Sequence, residues 1–501
     1  MLEIKDLTIE IDNKVIIDKL SFTLNDGDKL AVIGEEGNGK STLLKAIYDD
    51  SILNYAKVEG NINKKNKVVG YLEQSISNEY LDFVVYDYLF KDEEEYYRNI
   101  GSYYDLINEL CIDEEILYKK IKILSGGEKV KIQLLRILLR DANILLLDEP
   151  TNDLDIETLI WLEEFIKSFD GAIMFVSHDE YLLSRTANII LHLELVRKKN
   201  VPRSTIVRCD YDMYVNRRLR ALNKQDQVAR KESAIYKKQK QKLTQIMNKV
   251  HHELNTISRR NPHGAKMLKR KMKSLKSQDR RLDDKELIEI PDIEESINIF
   301  FDDVNIPNKK TILDINISSL EVDNVELSKN ISLKVFGNDH IAIIGNNGCG
   351  KTTFIKRIVD LLRKRNELVV GYMPQNYEDV LDFNVTPIEF LSKTYEAQEL
   401  SLIRSYMGNI NFTKEEMIGK IGNLSGGSRA KLVLLKLILD KCNVLVLDEP
   451  TRNVSPLSNP IIRDILSRFN GAIISISHDR KYIEEVCSKI YRLDRDGLWE
   501  L

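Results

Sequence analysis

Apolar residues along the chain follow two different spacings. Short continuous apolar runs occur in both halves of the sequence, at residues 30–33 and 144–147 and again at 341–344 and 444–447. Runs of this length, bounded by polar or glycine-rich segments, predict strands buried on both faces of a parallel sheet. The pattern therefore predicts an α/β fold that is present twice.

The segment between the two halves has a helical spacing instead. Its apolar residues recur every seven positions in the first part and at intervals of four, three and seven in the second, which predicts two helices with apolar seams. The first seam is Val215, Leu222, Ala229, Tyr236, Leu243, Val250 and Ile257, and the second is Leu268, Met272, Leu275 and Leu282. Asn261-Pro262-His263-Gly264 predicts a break between them, because proline disfavours helical geometry in the preceding residue and glycine tolerates a turn. We predict an antiparallel helical hairpin that projects from the two halves.

The length of the chain agrees with this division. A chain of 501 residues exceeds a single core and suits two domains of about 200 residues plus a linker. We predict domains at 1–205 and 296–501, and a basic helical linker at 206–295 with its tip near 258–264.

A glycine-rich loop follows one predicted strand in each half and precedes a predicted helix. This order is the context of a phosphate-binding loop, since glycines let N–H groups converge on phosphate oxygens and the helix N-terminus adds partial positive charge. We expect the loop lysines to reach the β- and γ-phosphates of ATP and the next hydroxyl to hold Mg²⁺. The predicted contacts are Gly34, Glu35, Glu36, Gly37, Asn38, Gly39, Lys40, Ser41 and Thr42, and then Gly345, Asn346, Asn347, Gly348, Cys349, Gly350, Lys351, Thr352 and Thr353.

An acidic pair ends the apolar run at 144–147, and another ends the run at 444–447. We expect the aspartate to hold Mg²⁺ through water and the adjacent glutamate to polarise the water that attacks the γ-phosphate. Glutamines after two further short runs are suited to contact Mg²⁺ or the attacking water. The predicted metal-site residues are Ser41, Gln74, Asp148, Thr352, Gln375 and Asp448, and the predicted bases are Glu149 and Glu449.

A histidine follows one more apolar strand in each half. A lone histidine is most often a satisfied core residue. His178 and His478, however, stand at the same offset from the acidic pair. We therefore predict that both hydrogen-bond the γ-phosphate region and sense its loss.

A Leu-Ser-Gly-Gly string opens a predicted helix in each half, at 124–127 and 424–427. With this string, the ordered set of motifs resembles the ATP-binding cassette (ABC) superfamily over both halves. The resemblance implies two ABC-type P-loop ATPase domains and a Mg²⁺-dependent ATP hydrolase, a monomer whose halves close on two ATP molecules. It also implies that each signature completes the other half's site. Ser425, Gly426 and Gly427 would then face nucleotide at Lys40, and Ser125, Gly126, Gly127 and Glu128 would face nucleotide at Lys351.

The net charge of −4 conceals a strong local excess of cations. Residues 258–281 contain ten basic side chains and one acid. A charge run is often only a solvated face, but this density favours binding of a polyanion, through phosphate contacts and shape as structured RNA requires. The candidate RNA-contacting residues are Arg259, Arg260, His263, Lys266, Lys269, Arg270, Lys271 and Lys273.

Other classes of protein are disfavoured by what the sequence lacks. No apolar stretch approaches the about 18 residues that span a bilayer, and the N-terminus has no signal-peptide core, so we expect a cytoplasmic protein. Five scattered cysteines have no paired metal spacing, which argues against structural zinc.

Two cassettes joined by a basic helical linker resemble the ABC-F family of ribosome-binding translation ATPases. After the second acidic pair the sequence runs Thr451-Arg452-Asn453-Val454-Ser455-Pro456-Leu457-Ser458, whereas the first has Thr151-Asn152-Asp153-Leu154-Asp155. The second string and the linker string at 261–264 are similar to the antibiotic-resistance members, the Vga/Lsa/Sal-like proteins.

That resemblance implies a ribosomal protection mechanism. The protein would bind the 50S E site of the 70S ribosome in its ATP-closed form, next to 23S rRNA and the P-site tRNA, with the hairpin tip directed to the peptidyl-transferase centre. There it would counter pleuromutilins, lincosamides and streptogramin A compounds, and ATP hydrolysis would release it.

Three other functions fit part of the sequence. A housekeeping ABC-F factor that relieves stalled ribosomes would share every catalytic residue. A duplicated ATPase subunit of an importer would have no need of a cationic hairpin. A DNA-repair ATPase would bind a polyanion, but the zinc cysteines of the best-known type are missing.

Overall fold

The computed structural model describes residues 1–90, 102–196, 201–257, 262–283, 306–307, 309–322, 325–410, 412–452 and 454–501. The chain divides into two compact units. One unit comprises Met1–Tyr214 and Glu294–Leu501, and therefore contains both cassettes, and the other comprises Val215–Ile293.

The first cassette is built on a mainly parallel sheet of six strands in the order β5-β6-β7-β3-β8-β9. Its apolar strands are buried on both faces, as predicted, and β9 closes one edge antiparallel to β8. An antiparallel sheet of β2, β1 and β4 packs with it in one hydrophobic core. The strands are β1 Leu2–Ile11, β2 Lys14–Leu24, β3 Lys29–Ile33, β4 Ala56–Asn63, β5 Val69–Leu72, β6 Ile144–Asp148, β7 Ala172–Val176, β8 Ile189–Leu195 and β9 Val201–Val207.

The second cassette repeats this architecture. Its six-stranded sheet has the order β13-β14-β15-β12-β16-β17, which matches the first sheet position by position, and β10 and β11 form an antiparallel pair. The strands are β10 Thr311–Val322, β11 Val325–Phe336, β12 His340–Ile344, β13 Val370–Met373, β14 Val444–Asp448, β15 Ala472–Ile476, β16 Lys489–Leu493 and β17 Leu498–Glu500.

Helices follow the glycine loops and open at the Leu-Ser-Gly-Gly strings, as predicted. In the first cassette they include Lys40–Tyr48, Val85–Leu89, Gly126–Leu138, Ile156–Ser168 and Glu180–Thr186, with short 3-10 turns at Asp50–Ile52, Asn78–Tyr80, Glu114–Tyr118 and Ile121–Ile123. In the second they include Lys351–Arg363, Pro387–Leu391, Ala397–Asn409, Lys414–Ile418, Gly426–Leu439, Asn459–Ser467 and Arg480–Val486, with 3-10 turns at Tyr377–Asp379 and Ile421–Asn423.

The described residues of the linker unit form two helices. The first linker helix, Tyr211–Thr256, has 46 residues, and the second, Pro262–Asp283, has 22. Their apolar seam buries Leu243, Val250 and Leu275. These three side chains belong to the seven-residue and 4-3-7 patterns, so the helical pairing agrees with the predicted spacing.

The break between the linker helices differs from the prediction. The second helix begins at Pro262, so His263 and Gly264 are helical and do not belong to a turn. Proline is well tolerated in the first turn of a helix, because its missing N–H would have no partner there. Arg259 and Arg260 lie outside the described residues.

No helix in the described part of the chain is both long enough and apolar enough to cross a bilayer.

Candidate nucleotide-binding and catalytic sites

The two glycine loops join β3 and β12 to the helices that begin at Lys40 and Lys351. Gly39 and Gly350 cap these helices in the left-handed region, with φ of 82° and 94°. A Cβ on Gly34 would lie 2.2 Å from the carbonyl oxygen of Leu193, so that position requires glycine. The backbone geometry is that of a loop shaped to curl around phosphate.

Each loop lysine folds back over its own loop. The Lys40 Nζ donates to the carbonyl oxygens of Gly34 and Glu35, at 2.9 and 3.1 Å. The Lys351 Nζ makes the equivalent bonds in the second loop. Burial lowers the pKa of both lysines. A buried lysine that donates to neutral carbonyl oxygens is suited to an added anion, which fits triphosphate.

The predicted magnesium ligands are brought together at the end of β6. The Ser41 hydroxyl donates to Asp148 Oδ1 at 2.9 Å, and the Tyr71 hydroxyl donates to Oδ2 at 3.0 Å. At the end of β14, Thr352 hydrogen-bonds Asp448, whose buried Oδ2 has no partner among the described residues. Hydroxyl and carboxylate oxygens are the ligands that Mg²⁺ prefers. The donor set therefore fits the metal in both cassettes.

Gln74 and Gln375 both follow a short strand, β5 and β13 respectively, and both side chains are exposed. Their predicted contact with Mg²⁺ or the attacking water stays a prediction.

The predicted bases have strained backbones. Glu149 and Glu449 have φ of 50° and 55°, in the left-handed region that a glutamate rarely adopts. Their N–H groups donate to Val176 and Ile476, the last residues of β7 and β15. Strain of this kind persists where the surrounding structure imposes it, and it is frequent at active sites.

The histidines contact these glutamates, which the sequence did not predict. In the first cassette His178 Nε2 is 2.9 Å from Glu149 Oε1. In the second the corresponding distance, from His478 Nε2 to Glu449 Oε1, is 3.9 Å, and the His478 backbone N–H donates to Oε2 at 3.4 Å. The predicted contact with the γ-phosphate region stays a prediction for both histidines.

The pKa values of the two glutamates are consequently shifted in opposite directions. Burial acts to raise the pKa of Glu149, but His178 and Lys40 together outweigh burial, and the net effect is a lowered pKa. Burial and the charge of Asp448 raise the pKa of Glu449 to about 8. Burial also lowers the pKa of His478 to about 4. The two sites are repeats in sequence but differ in the electrostatic environment of their glutamates.

The signature strings open the helices Gly126–Leu138 and Gly426–Leu439. Ser125 caps the first of these helices, and Glu128 completes a capping box by accepting from the Ser125 N–H at 2.6 Å. The structure thus gives Glu128 a capping contact in addition to its predicted nucleotide contact. At the second helix, Ser425 accepts from the Ser428 N–H, and a serine stands where the first has glutamate.

The second signature contacts the loop of the first cassette, and the first signature and the second loop both contact Asp153. The Gly427 N–H donates to Glu36 Oε2 at 3.2 Å. On the other side, the Asn347 side chain donates to the carbonyl oxygen of Asp153, which also lies against Gly126. These contacts agree with the head-to-tail arrangement that the resemblance implies, and the binding of nucleotide in two composite sites stays a prediction.

Polar contacts between the cassettes extend beyond these loops. Arg452 binds Asp153 at 3.0 Å, and Arg480 binds Asp179 at 3.3 Å. The Tyr211 hydroxyl, at the start of the first linker helix, donates to the carbonyl oxygen of Pro456 at 3.2 Å. None of these contacts was predicted, because no local pattern encodes a pairing between distant segments.

Comparison with known proteins agrees with the site. The family described as ABC transporter matches residues 17–152 and 328–452, which together span more than half of the chain. The chain belongs to this ABC family. It is accordingly an ATPase that uses ATP with Mg²⁺.

Relatives extend over the whole chain. The ATP-binding protein Uup of Buchnera aphidicola subsp. Acyrthosiphon pisum is 30% identical over 99% of this chain and 81% of its own length. The ribosome protection protein VmlR of Bacillus subtilis is 27% identical over 98% of this chain and 86% of its own. Such full-length matches with ABC-F proteins identify the chain as an ABC-F type ATPase.

The fold is shared with solved tandem-cassette proteins. The archaeal ribosome recycling factor aABCE1, in complex with the ribosomal stalk protein aP1, superimposes with a TM-score of 0.59. The match covers 99% of this chain and 90% of that chain at 16% identity, so it shows the fold alone.

Proposed function

We propose that this protein binds the E site of the ribosome in its ATP-closed state, protects the peptidyl-transferase centre from antibiotics, and leaves after ATP hydrolysis. The drugs are pleuromutilins, lincosamides and streptogramin A compounds, and the protein acts in the cytoplasm, where ribosomes are. The cationic face of the linker, joined to a two-site ATPase, is the observation that carries the proposal.

The second linker helix separates its apolar and cationic residues. Leu268, Met272 and Leu275 face the seam, and Lys266, Lys269, Arg270, Lys271 and Lys273 are exposed. This helix contains eight basic and two acidic residues. An outward row of cations on a thin helical pair suits the phosphates of structured RNA.

In each composite site we assign the catalytic roles to the glutamate and the histidine. Glu149 and Glu449 would take the proton of the attacking water, and His178 and His478 would orient those carboxylates. Mg²⁺, when bound at Asp148 and Asp448, would neutralise charge on the phosphates.

The relatives support both a resistance function and a housekeeping one. VmlR is named for ribosome protection, which favours the first. Uup is named only as an ATP-binding protein, and it matches almost the entire chain at 30% identity. A housekeeping ABC-F factor that relieves stalled ribosomes is therefore the second candidate. An importer subunit is disfavoured because it has no use for the cationic helix.

Ribosome sedimentation tests the binding step. The Glu149→Gln, Glu449→Gln double variant should pellet with 70S ribosomes in ATP, and excess deacylated tRNA should displace it if the E site is occupied. Changing Lys266, Lys269, Arg270, Lys271 and Lys273 to glutamine should weaken pelleting by more than about tenfold and flatten its salt dependence. A matched control neutralises five exposed lysines of the first cassette: Lys14, Lys19, Lys57, Lys119 and Lys120.

Drug susceptibility separates the two candidates. The gene should raise the inhibitory concentrations of the three drug classes in a susceptible host. Ribosome binding without such protection would support the housekeeping factor, and ATP-loaded protein that fails to bind ribosomes would contradict both.

A further inference from the structure

The two phosphate loops differ in charge at their second and third positions. The first loop has Glu35 and Glu36 there, and the second has Asn346 and Asn347. The loops share their glycines, their lysine and a hydroxyl residue after the lysine, and Glu36 contacts the opposite cassette. The difference therefore concerns the charge that the loop presents to the opposite cassette.

Glu36 reaches the start of the second signature helix. Its Oε2 accepts from the Gly427 N–H at 3.2 Å, and a Cβ on Gly426 would lie 2.9 Å from both carboxylate oxygens. The helix has 14 residues, and its first N–H groups have no partner within the helix. A carboxylate is stabilised at this end by the bond and by the helix dipole.

The two signatures obtain their carboxylate from different sources. At the first signature, Glu128 belongs to the helix, and its carboxylate accepts from the Ser125 N–H. At the second, Ser428 stands in that position. Glu36 thus supplies from the opposite cassette the negative charge that the second signature lacks. Asn347, by contrast, donates to the carbonyl oxygen of Asp153.

We propose that Glu36 determines nucleotide specificity at the first site by competing with the γ-phosphate for the second signature helix. ATP can engage Gly427 only when the carboxylate moves away, and the two negative groups repel each other if it stays. ADP has no γ-phosphate and leaves the Glu36 contact intact. The first site consequently discriminates less in favour of ATP over ADP than a site with a neutral residue would.

Binding titrations test this directly. Glu36→Asn, which copies the third position of the second loop, and Glu36→Gln are made with Lys351→Ala, which silences the second site. Affinities are measured by calorimetry for ADP and for an ATP analogue with an uncleavable β–γ bridge. We expect the analogue to bind on the order of tenfold more tightly, as for loss of one charge-assisted contact, and ADP to change by less than about twofold.

The reciprocal change is the matched control. Asn347→Glu with Lys40→Ala should weaken analogue binding at the second site. An unchanged or lower affinity of the Glu36 variants for the analogue would overturn the proposal. An equal gain for ADP would also overturn it, because the effect would then be the general charge of the loop and not competition for the signature.

Discussion

Arg463 of the second cassette and Glu180 of the first form a buried ion pair, with Nη1 2.5 Å from Oε1 and side-chain exposures of 3% and 6%. Glu485 binds the Nε of the same guanidinium at 2.7 Å, and Lys481 binds Glu180 at 3.1 Å. These residues lie outside the phosphate loops and the signatures. The cassettes are therefore in contact through groups that make no use of nucleotide.

Arg463→Ala should destabilise the protein without nucleotide. Removing one partner leaves Glu180 buried with less compensation, which typically lowers the free energy of unfolding by about 3–5 kcal/mol. Denaturant unfolding measures the loss. Arg492→Ala is the control, because its pair with Glu157 is exposed and such pairs contribute about 0–1 kcal/mol. Equal losses in the two variants would contradict the role given to the buried pair.

The Glu149→Gln, Glu449→Gln double variant should retain ATP binding and lose turnover by at least about 100-fold. The magnesium ligands stay in place in this variant, whereas the proton acceptor is gone. Phosphate release and nucleotide affinity are measured on the same preparation. Normal turnover would refute the assignment of these glutamates as bases.

Tyr211→Phe should lower the free energy of unfolding by about 1 kcal/mol, since the hydroxyl that reaches Pro456 is buried. Tyr214→Phe is a useful comparison, because its hydroxyl lies 2.8 Å from His192 Nδ1 inside the first cassette. If the Pro456 contact joins the cassettes, only Tyr211→Phe should also reduce the cooperativity of their unfolding. Two separated transitions by calorimetry would show this, and one sharp transition would count against it.

Glu399 should stabilise the folded protein near neutral pH, and this stabilisation should be lost in acid. The N–H groups of Lys393 and Thr394 and the hydroxyl of Ser392 donate to its carboxylate, and they lower its pKa to about 2. The folded pKa is below the unfolded one, so the stabilisation is complete above about pH 4.5 and disappears as the pH falls towards 2. The stability difference between wild type and Glu399→Gln should shrink over that range. Glu396→Gln, at an exposed position of the same segment, is the matched control for loss of a carboxylate.

Much of the fold could be predicted from sequence because local patterns encode it. The apolar runs form β3, β6, β12 and β14, and the heptad residues Leu243 and Val250 are buried in the linker seam. Pro262 was predicted to lie in the break between the linker helices, but it begins the second helix. Proline disrupts a helix interior but is accepted in a first turn.

The differences between the two sites could not be predicted in the same way. His178 and His478 have equivalent positions in sequence, yet Nε2 of His178 lies 2.9 Å from Glu149 and Nε2 of His478 lies 3.9 Å from Glu449. The Glu36 contact with Gly427 joins residues from opposite cassettes. Two sequence differences point to this contact. The first loop has Glu36 where the second has Asn347, and the second signature has Ser428 where the first has Glu128.

Among the described residues, the linker seam buries Leu243, Val250 and Leu275, and Met247, Leu254, Leu268, Met272 and Leu282 pack against them partly buried. This seam is much smaller than the core of the first cassette, which gives the helical pair a small opening free energy compared with the sheets of the cassettes. Its amide protons should therefore exchange with deuterium well before those of β3 or β12. An anion that binds the lysines of the second linker helix should slow this exchange. Deuterium exchange of the two linker helices therefore measures anion binding directly.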